Sequence, residues 1–128
     1  ASGVGVLLEM ARIFGKEKPA VGVDIIFFDA EDYGAPEELS SQENANSWCL
    51  GSQYWAANKH IPGYRAKYGI LLDMVGATGA RFFREQISDY YAGYVVDKVW
   101  NQAAALGYNH YFVNTPSLHQ SKSRNSVH

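Results

Sequence analysis

Four carboxylate side chains stand where two strongly apolar segments of the chain come to an end. Asp29, Glu31 and Asp32 follow the first segment, and Asp73 lies at the end of the second. In open α/β sheets, sites form outside the carboxyl ends of the strands, so the four acids are predicted to share one edge of a sheet. Removing that many acids from water is costly, and a bound metal or buried hydrogen bonds would be needed to compensate.

The same four residues allow two interpretations. In the first, Asp29 and Asp73 cap nearby backbone, while Glu31 and Asp32 are solvated loop acids. In the second, they form the edge of an active site, and the residues alone favour neither interpretation. Successive residues that leave a strand point to opposite sides, so Glu31 and Asp32 could act differently, one as a metal ligand and one as a proton carrier.

The two apolar segments have the pattern of strands that are buried on both faces. Residues 21–28 and 68–75 are nearly continuous apolar runs, without the alternation of a half-exposed strand. Helical spacing and capping residues predict helices over 4–14, 47–59 and 88–106. Residues 81–87 are predicted as a short strand or an extended lead-in to the last helix, and residues 111–113 as a short strand. This order is typical of an α/β domain with a parallel or mixed sheet.

The helix termini and the inner face of the last helix can also be predicted. Ser47 is expected to cap the second helix, and Ser88 or Asp89 to start the third, which Gly107 ends. The inner stripe of the third helix is predicted to be Tyr91, Val95, Val96, Val99, Trp100 and Ala103. Tyr90 and Tyr94 are expected, with Tyr91, in a core or an interface.

Composition argues against several classes of protein. The chain has 128 residues, and its net charge of -2 provides no basic surface for nucleic acid. Its apolar runs are too short to cross a bilayer. Cys49 is the single cysteine, expected as a half-buried structural thiol, and the lack of an internal disulfide weakly favours a reducing compartment. We predict one α/β domain over residues 1–114 and a disordered tail over 115–128.

Four sequence blocks follow one another in an order typical of a known superfamily. The blocks are LLEMAR (7–12), IIFFDAEDYG (25–34), WCLGSQYW (48–55) and LLDMVGA (71–77). Together they resemble the zinc aminopeptidase and glutaminyl cyclase superfamily, and most of all the bacterial glutaminyl-peptide cyclotransferases of the animal type. The resemblance covers residues 1 to about 113. It implies an incomplete three-layer α/β/α fold with a mainly parallel or mixed sheet, like that of the zinc exopeptidases.

The resemblance implies a role for each candidate site residue. Glu31 matches the general acid and base, and Asp32 matches a carboxylate ligand of zinc. Asp73 matches an acid that hydrogen-bonds in the cyclases and binds a second zinc in the two-metal aminopeptidases. Trp48 lies near the position where the cyclases have an aromatic wall for the substrate. The implied reaction converts an N-terminal glutamine to pyroglutamate with loss of ammonia, and zinc would polarise the γ-carbonyl.

The chain departs from the family pattern at its metal ligands. In the family an Asp-Gly pair, whose Asp is a ligand, precedes the motif that begins here at Ala1, and the segment 114–119 does not match the later Asp-Asp-His element. Catalytic zinc needs about three protein ligands, and only Asp32 can be assigned. The histidines, expected at the surface, are His60, His110, His119 and His128. We therefore expect this chain to bind zinc weakly and to be inactive alone.

Two other functions stay open beside the cyclase. One is a two-zinc aminopeptidase, in which Glu31 activates a metal-bound water and Asp73 is a ligand. The other is a non-catalytic α/β fragment that forms a homo-oligomer through exposed edges and apolar faces. For the leading hypothesis, the expected partner is a peptide with an N-terminal glutamine. The resemblance suggests an exported parent protein, periplasmic or secreted.

Overall fold

The structure, a computed structural model, describes residues 2–34 and 46–116. The chain divides into two compact units, Ala1–Asp73 and Met74–His128. Helices and a small parallel sheet occur in it, which confirms the predicted α/β class. Among the helices in these described ranges, none is long and apolar enough to span a membrane.

Helix α1 (Ser2–Phe14) and helix α2 (Leu50–Ala57) are the regular elements described in the first unit. Both were predicted, although α1 begins two residues earlier and α2 is shorter than expected. Gly3 is buried, and a Cβ at this position would overlap the carbonyl oxygen of Leu72. The first turn of α1 therefore lies directly against the backbone of the segment that carries Asp73.

The prediction of two strands buried on both faces is wrong for this chain. Residues 21–28 and 68–75 contain no strand, and Phe27, Phe28 and Leu71 are exposed, Leu71 by 82%. An apolar run becomes a central strand only where neighbouring strands satisfy its backbone and other layers cover both faces. Within the described residues, no strand pairs with either segment.

The second unit contains strand β1 (Phe82–Arg84), helix α3 (Gln86–Ala105) and strand β2 (Phe112–Pro116). The strands pair in parallel, with Phe82 opposite Phe112, and the register shifts between Phe83 and Arg84. Of the two alternatives for residues 81–87, the short strand is the one found, and the predicted strand at 111–113 is confirmed in outline. Strand β2 extends two residues into the predicted tail, whose residues 117–128 lie outside the described part.

Helix α3 carries the core of the second unit. Val95, Val96 and Ala103 are its buried apolar side chains, as predicted. The indole N–H of Trp100 donates to the carbonyl of Val113 at 3.0 Å, and its ring meets Phe112 edge-on at 5.5 Å. These contacts hold the helix on the two-stranded sheet.

The predicted start of α3 and part of its inner face are wrong. Glu85 is the N-cap, and its carboxylate accepts hydrogen bonds from the backbone N–H groups of Ile87 and Ser88. Tyr91 is 79% exposed, because the non-helical backbone of Ala92 (φ -143°, ψ 35°) interrupts the helical phase between Tyr91 and Val95. At the other end Gly107 adopts φ 81°, which confirms its predicted role as a helix terminator.

Candidate functional site

The turn that carries Glu31 is bonded to the first turn of α2. Backbone N–H groups of residues 49–51 donate to backbone carbonyls of residues 29–31. The three bonds are Cys49 to Glu31 (2.9 Å), Leu50 to Ala30 (3.1 Å) and Gly51 to Asp29 (3.2 Å). The donor number rises as the acceptor number falls, so the two segments run in opposite directions. We call these three bonds the 29–51 ladder.

The ladder satisfies N–H groups that a helix start leaves without partners. The first N–H groups of an α-helix have no partner within the helix, and a side chain at the N-cap usually accepts from them. Here the N-cap is Cys49, and its side chain makes no capping hydrogen bond. The predicted cap, Ser47, is wrong. Carbonyls of residues 29–31 take its place, so the start of α2 and the Glu31 turn stabilise each other.

Two residues in the ladder have left-handed backbone conformations. Ala30 has φ 50° and Cys49 has φ 55°. For a residue with a Cβ, this region costs about 1–2 kcal/mol relative to the right-handed one. Conformations of this kind persist where the surrounding structure enforces them, and they cluster at functional sites. The ladder is the local structure that enforces both.

Trp48 lies beside the same turn. The N–H of Gly34 donates to the carbonyl of Ser47 at 3.2 Å, and a Cβ at Gly34 would lie 3.2 Å from Cζ2 of the Trp48 ring. Gly34 has φ 67° and thus suits both the turn and the close ring. The predicted aromatic wall and the predicted proton carrier Glu31 are therefore held by neighbouring parts of one structure.

The candidate carboxylates face solvent in this chain. Glu31 and Asp32 lie in an exposed turn, and Asp73 is exposed in irregular backbone. Asp73 follows Leu72, the residue on which Gly3 of α1 packs. The sheet edge that was predicted to bring the acids together is not formed in the described residues, because the two expected strands are absent. The roles of these residues stay predictions.

A zinc site needs more ligands than the described residues bring together. Among residues 2–34 and 46–116, no three His, Cys, Asp or Glu side chains are grouped so that they could hold a metal. Asp32 therefore remains a single assigned ligand, whereas catalytic zinc takes about three from the protein. These residues do not fit a zinc ion by themselves.

The other candidates from the sequence lie at the surface. Cys49 is an exposed free thiol, so its prediction as half-buried is wrong. His60 and His110 are exposed, as predicted, and Nδ1 of His60 accepts a 3.2 Å hydrogen bond from the indole of Trp55. His119 and His128 lie outside the described residues. A cavity of about 390 Å³ in the second unit, lined in part by Phe82, Tyr108 and Phe112, includes none of the predicted site residues.

Comparison with known proteins decides the family. Residues 1–125 match the model of Peptidase family M28. The chain belongs to peptidase family M28. A comparison with curated proteins gives no match.

Several solved structures are similar to this chain in sequence and fold. The similar structures include a Zn-dependent exopeptidase from Parabacteroides distasonis (55% identity, TM-score 0.83). They also include the Bacteroides thetaiotaomicron glutaminyl cyclase bound to N-acetylhistamine (46%, 0.83) and the Tannerella forsythia glutaminyl cyclase (54%, 0.80). Each comparison covers 91% of this chain and 39%, 40% and 40% of the respective structure. The chain thus spans about two fifths of their length, and its fold is of the α/β zinc-exopeptidase type.

Sequence reasoning did not identify Gly51 and Ala30 as parts of the site. Both lie in blocks that carried the resemblance, but glycine has no side chain and alanine has only an unreactive methyl group. The ladder joins residues 29–31 to residues 49–51, and no local pattern predicts a contact between segments so far apart in the sequence. The one available signal was a glycine in the first turn of a short helix, where it weakens the helix unless another group approaches closely.

Proposed function

We propose that this chain is part of a glutaminyl-peptide cyclotransferase, which converts an N-terminal glutamine to pyroglutamate with release of ammonia. The observation that carries the proposal is the 29–51 ladder, which holds the Glu31 turn on the helix start beside Trp48. Support also comes from structural relatives that are themselves described as glutaminyl cyclases, at 46% and 54% identity.

Glu31 moves the proton in the proposed reaction. The α-amine of the substrate attacks the γ-carbonyl carbon, which forms the ring C–N bond. The Glu31 carboxylate takes a proton from the attacking amine and returns it to the departing nitrogen, so that the C–NH₂ bond breaks and ammonia leaves. One carboxylate can serve both transfers when it lies within hydrogen-bond reach of both nitrogens. Trp48 covers the substrate, and Asp73 keeps the Glu31 carboxylate in position.

One relative is described as a Zn-dependent exopeptidase, and a requirement for zinc would limit what this chain does alone. Asp32 is the proposed ligand, and its further ligands would have to come from outside the described residues. We therefore expect no tight zinc binding and no turnover by the chain alone. Calorimetric titration with zinc and an ammonia-release assay on a glutaminyl dipeptide test this expectation, and tight one-to-one binding would contradict it.

A chimera tests the cyclase proposal. Residues 1–116 would replace the matching segment of the Tannerella forsythia glutaminyl cyclase, to which the chain is 54% identical. We expect a peptide with an N-terminal glutamine to release ammonia when the chimera is present and not when it is left out. A folded chimera that releases no ammonia, although the unmodified cyclase does so in the same assay, would contradict the proposal.

A second candidate is a zinc aminopeptidase. The observation in its favour is the 55% identity to the structure described as a Zn-dependent exopeptidase. In that reaction Glu31 would activate a water molecule instead of an amine. The same chimera, assayed with leucyl and glutaminyl substrates, separates the two: peptide-bond hydrolysis favours the aminopeptidase, and ammonia release with an intact peptide bond favours the cyclase.

Self-association of the chain is a third candidate, in a different class. Only Val95, Val96 and Ala103 are buried apolar side chains among the described residues, whereas Leu71 and Tyr90 are each 82% exposed. Exposure of so many apolar side chains is costly in water and favours pairing with another chain. Light scattering at high concentration should show a dimer or larger species. A clean monomer would contradict this proposal.

A further inference from the structure

Gly51 comes unusually close to the backbone of Asp29. A Cβ built on Gly51 would lie 2.6 Å from the carbonyl oxygen and 2.8 Å from the amide nitrogen of Asp29, and it would also overlap Oδ1 of that residue. Atoms of a backbone cannot move away as the end of a flexible side chain can. Gly51 does not have the positive φ that commonly requires glycine, so the close contact is the reason for the missing side chain.

This contact allows the ladder to form. Gly51 donates to Asp29 at 3.2 Å, and Cys49 donates to Glu31 at 2.9 Å from the same turn of α2. If the first turn of α2 were pushed away by even the width of a methyl group, these bonds would lengthen beyond the range of a hydrogen bond. The left-handed conformation of Ala30 would then lose the contacts that enforce it.

The residue most affected by that change is Glu31. Its carbonyl is fixed by Cys49, and its Cα–Cβ direction follows from the backbone of Ala30 and Glu31. Its carboxylate makes no ion pair with the described residues, so the backbone sets where the side chain starts, and the proposed role of Asp73 acts on the carboxylate beyond that. A misplacement of about 1 Å in a reacting group can reduce a rate by about 100-fold.

We propose that Gly51 is a positioning residue for Glu31: it lets the first turn of α2 approach Asp29, and the ladder then fixes the backbone that carries the carboxylate. The inference rests on the proposed function, in which Glu31 transfers the proton. It assigns to Gly51 no contact with the substrate. Its effect is therefore on turnover and not on substrate binding.

The first test needs no activity and uses the 128-residue chain. Hydrogen exchange measured by NMR should show protected amides at Cys49, Leu50 and Gly51 in the wild-type chain. In Gly51→Ala these amides should exchange faster by about tenfold or more, whereas Gly5→Ala should leave them unchanged, because a Cβ at Gly5 meets no atom within 4 Å. Unprotected amides in the wild type, or equal protection in Gly51→Ala, would overturn the proposal.

The second test uses the chimera. Gly51→Ala should lower kcat by about 10- to 100-fold per folded molecule, with KM nearly unchanged, whereas Gly5→Ala keeps both. A merely structural role would reduce the folded fraction and leave kcat per folded molecule at the wild-type value, which would contradict the proposal. If Gly51→Ala does not fold, the exchange rates of the wild-type amides at residues 49–51 decide: protected amides support the ladder, and unprotected amides overturn the proposal. An inactive parent chimera would count against the cyclase function, while the exchange test still judges the ladder.

Discussion

Arg84 and Asp89 form a forked ion pair within the second unit. Nη2 of Arg84 lies 2.6 Å from Oδ1 of Asp89, and Nε lies 3.0 Å from Oδ2. The Arg84 side chain is only 18% exposed and also donates to Asp97 and Asn114. One guanidinium thus joins the end of β1 to α3 and to β2.

Replacement of Arg84 by lysine should destabilise the second unit. Lysine keeps the charge but lacks the planar fork, so it cannot bond Asp89, Asp97 and Asn114 together. We expect Tm to fall by about 2–5 °C in thermal unfolding followed by circular dichroism. Arg12→Lys is the matched control, since its pair with Glu9 is 55% exposed on both sides and should contribute little. Equal effects of the two substitutions would contradict this account.

The same ion pair makes stability depend on pH. The Arg84 guanidinium holds the pKa of the Asp89 carboxyl below its ordinary value. In the unfolded chain that carboxyl has a pKa of about 3.9, so its contribution to stability is present above this pH and is lost as the pH falls towards the lower folded pKa.

The measurement compares unfolding by urea at several pH values between 3 and 7. The free energy of unfolding of the wild type should fall more steeply below about pH 4.5 than that of Asp89→Asn, which has no proton to gain. Both proteins lose stability from their other acids, so only the difference in slope is informative. Parallel curves would show that the pair contributes nothing.

Substitution of Gly3 should have the opposite effect to substitution of Gly5, two residues away on the same helix. A Cβ on Gly3 would overlap the backbone oxygen of Leu72, whereas a Cβ on Gly5 meets nothing. We expect Gly3→Ala to lower the free energy of unfolding by about 1–3 kcal/mol. Gly5→Ala should raise it by about 0.5–1 kcal/mol through helix propensity. Urea titration checks the signs, and a stabilised Gly3→Ala would refute the contact.

Trp48 can be tested in the chimera as the cover of the substrate. Trp48→Ala should raise KM for a glutaminyl peptide by about threefold to tenfold, since an aromatic contact is lost. Trp48→Phe should keep KM close to the wild-type value. Tm measured on both variants shows whether loss of the contact with Gly34 disturbs the turn. A wild-type KM in a stable Trp48→Ala variant would remove Trp48 from the substrate site.

Features encoded by nearby residues could be predicted from the sequence. The helical spacing from Val6 to Phe14 predicted α1, and Gly107 marked the end of α3, because both signals act within one or two turns. The four ordered blocks also led to the correct family. The two short strands β1 and β2 followed from brief apolar runs bounded by turns.

Features that depend on distant parts of the chain could not be predicted. Residues 21–28 have the composition of a central strand, but composition does not supply the neighbouring strands that the backbone requires. The exposure of Tyr91 depends on one irregular residue, Ala92, which no local pattern indicates. The ladder depends on a close approach between residues 29–31 and 49–51, which are distant in the sequence. The predicted meeting of Glu31, Asp32 and Asp73 likewise depends on distant parts of the chain.

The most direct measurement of the central claim is the rate of ammonia release by the chimera after Glu31→Gln. Glutamine keeps the size and the backbone of Glu31 but accepts no proton at neutral pH, so the 29–51 ladder and the zinc content should be preserved. We predict a fall in kcat of at least about 100-fold, with folding and bound zinc at the levels of the unmodified chimera. Turnover at the wild-type rate in that variant would show that Glu31 is not the proton carrier.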